Sequence, residues 1–400
     1  MASLPRTSAA GRELIDRITP HLPAIAELAR KTDRTAAFPF ASLQILRDIG
    51  WLSAPIPGEY GGGECRLADL VAAQIVLAKS DMPLAFACGM HLMSVGSERA
   101  NRSWPEQLRE RIFRSVVADG ALVNQVASEP ELGSPQGGGR PQTQLTPDGP
   151  RRWRINGRKS FTTLAPALTW FNTYCALEDG SGMLARVAVH RDSPGLRIDE
   201  TWDVVGLRST GSHDVYYDNV LVTDDEFLVR QDPARAGQRH GDFAWFALLV
   251  SAAALGVAEA ARDYTVEFCR NRRPGGAPAP IASIPTVRSS VGEIDLRLIA
   301  SRVLLTETAA VWDELDADGR MSLGPRVAAA KLHACDTAVD VVDRCMRLVG
   351  GISLHRSEPL ERYYRDVRGP LHNPPITPRG LEVIASAALD HPPMDGTATF

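Results

Sequence analysis

Two histidines raise the question of what this chain does chemically. His372 follows an Arg-Asp pair in "RYYRDVRGPLHNPP", in a loop that neighbouring prolines stiffen. A histidine held there can take or give a proton near neutral pH. His91, in "FACGMHLMS", sits in an otherwise apolar helical run. Each has a plainer reading. A histidine before Asn-Pro-Pro can cap the preceding helix, and one on an apolar face is ordinarily a satisfied core residue. His190, His213, His240, His333 and His355 show no ligand spacing, so no metal site is expected.

Arginine offers a second chemistry. "FCRNRRPGG" gathers Arg270, Arg272 and Arg273, and a guanidinium grips phosphate oxygens through two parallel bonds. Solvated surface arginines are the alternative. With 44 basic against 48 acidic residues and a net charge of -4, the chain has no electrostatic footprint for nucleic acid or anionic lipid. A third set is polar: Ser128 and Ser134 in "ASEPELGS", and Phe161, Thr162 and Thr163 in "GRKSFTT". Taken singly, these are a polar turn and an ordinary strand.

The elements that would position these residues follow from periodicity. Apolar positions recur at helical spacing from Ala9 to about Val117, for example in "GRELIDRITPHLPAIAELAR" and "RLADLVAAQIVLAKS". From Leu122 to about Val222 the period becomes two, in "RRWRING", "TWFNTYCAL", "MLARVAVH" and "HDVYYDNVLV", predicting an antiparallel β domain. Past Asp242 the helical period returns. One predicted helix carries Ile294, Leu298, Leu305 and Trp312; another runs from Ala328 to Val349 and stops at Gly350-Gly351. The expected division is a helical domain at 1–120, a β domain at 121–230, a helical bundle at 231–390 and a loose tail at 391–400.

A composition of 44% hydrophobic and 23% charged residues is that of an ordinary soluble protein. Six scattered cysteines without a Cys-x-x-Cys pair argue against a disulfide framework. The N-terminus lacks a signal-peptide run, and no stretch reaches the ~18 continuous apolar residues of a membrane span. A reduced, cytoplasmic protein is expected.

Five stretches read together become specific: "PIPGEYGGGE", "ASEPELGS", "GRKSFTT", "VVGLRSTGSHDVYYDNVLV" and "GGISLHRSEPLERYYRD". In this order they resemble the acyl-CoA dehydrogenase superfamily, including the flavin monooxygenases of the same fold. The resemblance implies an α+β architecture of an N-terminal helical domain, a middle antiparallel β domain and a C-terminal four-helix bundle. It implies FAD as cofactor, or FMN for a monooxygenase. Ser128 and Ser134 would face the flavin pyrimidine, Phe161 and Thr162 would line the ring, and Thr163 would bond its N5. Arg270 would meet the FAD pyrophosphate, and Gly350 and Gly351 the adenine half, of a neighbouring subunit's cofactor in a homotetramer. The aromatic-glycine pair and later Gln common near Arg270 are missing.

Family dehydrogenases remove an α-proton with a glutamate. Its two usual positions fall at or beside Pro374 and near Phe246, and neither is acidic. His372 and His91 are therefore the candidate catalytic residues. The implied reactions are α,β-dehydrogenation of an acyl thioester, placed first, with an electron-transfer partner, or oxygenation of a small molecule by reduced flavin, with a reductase partner. A catalytically silent flavin-binding relative is the third reading.

Overall fold

A computed structural model of the chain describes residues 6–132, 139–233 and 243–390. Six helices come first: α1 Ala9–Ile18, α2 Leu22–Thr35, α3 Phe40–Asp48, α4 Leu67–Ala78, α5 Met82–Asn101 and α6 Glu106–Asp119. α5 starts where the Asp81 carboxylate accepts the Leu84 N–H at 3.0 Å, a side-chain cap for an otherwise orphaned donor. Every residue from Met82 to Glu98 is buried, which is why its sequence is apolar on all sides.

Eight strands follow: β1 Val123–Val126, β2 Gln144–Pro147, β3 Arg152–Thr162, β4 Trp170–Leu177, β5 Leu184–His190, β6 Leu196–Asp199, β7 His213–Thr223 and β8 Phe227–Gln231. They form one sheet in the order β6-β7-β3-β2-β4-β5-β8, with β1 also on β4. The sheet is not wholly antiparallel as expected. β1 pairs with Trp170–Thr173 and β2 with Ala176 and Leu177, both parallel to β4. Two short strands thus line one long one in succession. Period-two alternation reports which face is buried and carries no information about strand direction.

The last part is helical: α7 Phe243–Asn271, α8 Pro285–Glu314, α9 Ala317–Ser322, α10 Gly324–Val349, α11 Leu360–Asp366 and α12 Thr377–Leu389. α7, α8, α10 and α12 make the bundle, and α7 also packs on α4 and α5, joining the bundle to the N-terminal helices. α7 is long and apolar enough to cross a membrane by length and composition, with a mean hydropathy of 1.8 over its best window, although Glu259 interrupts its continuous apolar run. That window is 83% buried within the protein, because α7 is surrounded by other helices. The expected tail at 391–400 lies outside the described residues.

Candidate functional site

Ser128, Phe161, Thr162 and Thr163 meet where the end of β3 runs past the segment after β1. The Ser160 N–H donates to the Ser128 carbonyl at 3.0 Å, which joins the two stretches. Ser128 is half-buried, and its hydroxyl has no hydrogen-bond partner among the described residues. Ser134 lies outside the described residues. Phe161 is strained and on display: its φ is +54° and it is 65% exposed. A left-handed backbone angle at a bulky residue is costly and persists where surrounding structure imposes it. Its ring meets Trp202 edge-on, with centroids 5.8 Å apart.

A buried ion pair secures this corner. Lys159 Nζ sits 2.7 Å from Glu129 Oε1, with the two side chains 0% and 1% exposed. Glu129 also accepts the N–H groups of Gln142 at 2.7 Å and Thr143 at 3.0 Å. Burial pulls the Glu129 carboxyl upward, but the bonds from Lys159 and the two backbone donors outweigh it and hold it below its usual range. Sequence reasoning missed this pair, although Glu129 stands inside a motif it singled out. The signal was Glu and Lys flanking the same two polar stretches.

Thr163 heads a chain of hydroxyls. Its Oγ1 lies 2.9 Å from Ser212 Oγ, which lies 2.8 Å from Thr210 Oγ1, which donates to the Leu207 carbonyl at 3.1 Å. The carbonyl can only accept, so with Thr210 donating to it the relay runs one way: Ser212 donates to Thr210 and Thr163 to Ser212. The free capacity left on Thr163 Oγ1 is a lone pair. Ser212→Ala removes that constraint. With its proton freed, Thr163 can donate to the N5 of oxidised flavin, so oxidised-flavin binding is expected to strengthen about five-fold, roughly 1 kcal/mol for one hydrogen bond, while reduced-flavin binding, which uses the lone pair, stays nearly unchanged. Anaerobic and aerobic flavin titrations measure the two.

The structure gives His91 a structural place rather than a catalytic one. It is fully buried. Its Nδ1 accepts the Val123 N–H at 3.0 Å, so Nε2 carries the proton and donates to the Leu52 carbonyl at 3.0 Å. Burial lowers its pKa to about 4. Both nitrogens are spent on backbone, pinning α5 to β1. His91→Leu leaves two buried backbone groups unpaired, each costing about 1–3 kcal/mol. In the wild type the depressed folded pKa gives stability that is present above 6.5 and lost as pH falls toward 4. The variant's unfolding free energy is therefore expected to be lower at pH 7.5 and to fall less steeply on acidification, as denaturant titrations at each pH would show.

His372 ends a short turn, Gly369–His372, and is exposed. The turn packs against α7 and α10. It also presses on the β domain: a Cβ at Gly369 would stand 2.2 Å from Leu207 Cδ1. Leu207 is itself held by its N–H donating to Asp366 Oδ1 at 2.7 Å, and a Cβ at Gly206 would meet the Arg365 carbonyl at 2.3 Å. Glycine is needed at Gly206, where the clash is with backbone; at Gly369 a Cβ would force the Leu207 side chain to move. The loop from Trp202 to Leu207 thus touches Phe161 at one end and the His372 turn at the other. Phe246, at one of the two positions where a glutamate was sought, is half-buried against Phe243 with ring centroids 5.6 Å apart.

Arg270 is exposed at the end of α7, away from this corner in sequence. Gly350 and Gly351 are exposed, and a Cβ at either would meet nothing within 4 Å. No group of three or more metal-ligating side chains occurs among the described residues. The exposed Phe161, the Ser128 hydroxyl and the spare lone pair of Thr163 fit a flat, polar-edged ring such as a flavin.

Residues 23–117, 124–220 and 248–372 match, in order, the N-terminal, middle and C-terminal domains of acyl-CoA dehydrogenases. Over 380 residues the chain is 36% identical to the Bacillus subtilis (strain 168) protein named "Putative acyl-CoA dehydrogenase YdbM", covering 95% of this chain and 97% of that one. The chain belongs to the acyl-CoA dehydrogenase family. It is a flavin-dependent oxidoreductase of the acyl-CoA dehydrogenase fold. It is also 33% identical to L-evernosamine nitrososynthase of Micromonospora sp., over 90% of this chain and 85% of the relative. The structure of KijD3 in complex with FMN and dTDP-3-amino-2,3,6-trideoxy-4-keto-3-methyl-D-glucose superposes with a TM-score of 0.86 and 30% identity, covering 97% of this chain and 96% of that chain.

Proposed function

We propose that this family member is the oxygenase of a two-component flavin monooxygenase, which takes reduced flavin from a separate reductase and oxygenates an amine on a small molecule. The observation that carries the reading is the loss of both glutamate positions, to Phe246 within an aromatic pair and to Pro374 within a proline-stiffened turn. Without a carboxylate at either place, α-proton removal from a thioester has no ordinary base. The nitrososynthase relatives support the amine as substrate class, and their similarity extends along 90% or more of this chain.

When bound, reduced flavin supplies the two electrons that divide O2 between the product and water. The chain's own residues prepare that step. Phe161 covers the ring, Ser128 donates to its pyrimidine edge, and the Thr210-Ser212-Thr163 relay presents a lone pair suited to the N–H that a reduced ring carries. His372 takes the proton that an ammonium must lose before nitrogen can attack oxygen. Arg270 would meet the pyrophosphate, and Gly350 and Gly351 the adenine half, of an FAD across a homotetramer. This sparse set suits a flavin exchanged with the reductase, FMN or FAD.

Acyl-thioester dehydrogenation is the second reading, favoured by the identity to YdbM and requiring His372 as base. Anaerobic mixing of the flavin-loaded protein with a panel of acyl-CoA thioesters separates the two. No bleaching of the oxidised flavin is expected; rapid bleaching by any member would restore dehydrogenation to first place.

A further inference from the structure

The stretch from Glu200 to Ser212, between β6 and β7, forms neither helix nor strand, yet Trp202 within it reaches both sets of residues assigned to the flavin. Its ring meets Phe161 edge-on. Its Nε1 donates at 3.0 Å to the Leu207 carbonyl, the same oxygen that accepts the Thr210 hydroxyl and so ends the relay from Thr163. Trp202 therefore links the residue that would cover the ring to the hydroxyls that would face its N5.

What holds Trp202 is His213, the first residue of β7. Its Nδ1 accepts the Trp202 N–H at 3.1 Å, so Nε2 carries the ring proton. From 202 to 206, no other backbone N–H has a partner among the described residues. The next N–H of β7, that of Asp214, donates to Thr201 Oγ1 at 3.1 Å, so the stretch is fastened to the head of this strand at two adjacent points. His213 pairs across the sheet with Thr162, the neighbour of Phe161, and directly follows Ser212 of the relay. It is half-buried, within reach of protons from solvent.

We infer that His213 is a positioning residue for the flavin: its neutral ring accepts the Trp202 N–H and thereby holds Trp202 against Phe161 and the Leu207 carbonyl. A second proton would go to Nδ1, and two N–H donors would then face each other where one bond had been. The charged groups acting on the ring are Glu200, just past β6, and Asp214 on β7, which is paired with Arg158 of β3. Burial lowers the His213 pKa, outweighing the two acids, which favour the charged ring. The bond is therefore present at neutral pH and lost in acid. Phe161 adds to the consequence, since its left-handed backbone persists where neighbours impose it. The inference rests on Phe161 and Thr163 meeting the flavin, and it holds for oxygenation and dehydrogenation alike.

Oxidised FMN titrated into the full-length protein between about pH 5 and 8, read by quenching of flavin fluorescence, tests this without turnover. Wild type is compared with His213→Leu, which has no acceptor, and with His213→Asn, whose Oδ1 stands where Nδ1 does along the side chain and does not titrate. Wild-type affinity is expected to fall about five-fold once the ring is charged, the worth of one hydrogen bond. His213→Leu should bind about five-fold more weakly than wild type at neutral pH, and His213→Asn should match neutral wild type, both without the acid loss. Unchanged neutral affinity in His213→Leu, or the wild-type acid loss persisting in His213→Asn, overturns the inference; the asparagine variant decides alone if the leucine variant does not fold. Phe161→Ala separates the two ways of failing. If it weakens FMN while His213→Leu does not, only the role of His213 falls; if neither weakens it, the flavin assignment of Phe161 falls as well.

Discussion

Replacing His372 with alanine is expected to lower oxygenated product by roughly 10²- to 10⁴-fold, the contribution of a positioned proton-transfer group. Flavin affinity should stay within about two-fold, because no residue assigned to hold the ring is altered and the loss of a single exposed side chain is generally small. The electrons still reach O2, so hydrogen peroxide is expected to replace product at nearly unchanged O2 consumption. Added imidazole should restore part of the yield. Wild-type product yield from the variant would remove the role assigned to this histidine, and loss of flavin would show that the turn merely supports the fold. Gly369 bears on this, since a Cβ there would force the Leu207 side chain to move.

Breaking the Lys159–Glu129 pair is expected to have the largest effect on stability. Lys159→Met leaves a carboxylate that is 1% exposed without its counter-charge, a change that costs about 3–5 kcal/mol at buried pairs. Lys159→Met combined with Glu129→Gln should recover much of this, since the stranded charge rather than the lost attraction is what destabilises. The sign with pH is fixed by Glu129, whose folded pKa is depressed. Its contribution is present above the unfolded carboxyl value of about 4.3 and is lost as pH falls through the lower folded value. Wild-type and Lys159→Met unfolding curves are therefore expected to converge in acid. Parallel curves down to low pH would contradict the assignment. Flavin affinity should fall with stability, because Glu129 organises the segment that carries Ser128.

The helical-β-helical order was legible because apolar periodicity switches at Leu122 and again past Asp242, and because α8 and α10 display one buried stripe each. α7 was harder. A helix buried on every side loses its polar stripe, and its hydropathy then resembles a membrane span. The parallel pairing of β1 and β2 with β4 was invisible, since alternation is the same in either direction. At the site, residue types suggested Phe161, Thr163 and Ser128. Nothing in the linear sequence showed that Phe161 has a positive φ or that Ser212 lies against Thr163 from 49 positions away. The two histidines make the same point. His91 and His372 are chemically alike in sequence, and only the third dimension spends both nitrogens of His91 on Val123 and Leu52 while leaving His372 exposed.

Oxygen tracing distinguishes oxygenation from dehydrogenation. The purified protein would be supplied with FMN, a flavin reductase and NADH under ¹⁸O2, with a panel of amino sugars free and nucleotide-linked, and the products read by mass spectrometry. One labelled oxygen atom on the amine nitrogen is expected for each first-step turnover, dependent on reduced flavin and on O2. Products that carry no label, or an unsaturated acyl thioester formed without oxygen, would contradict the oxygenase reading.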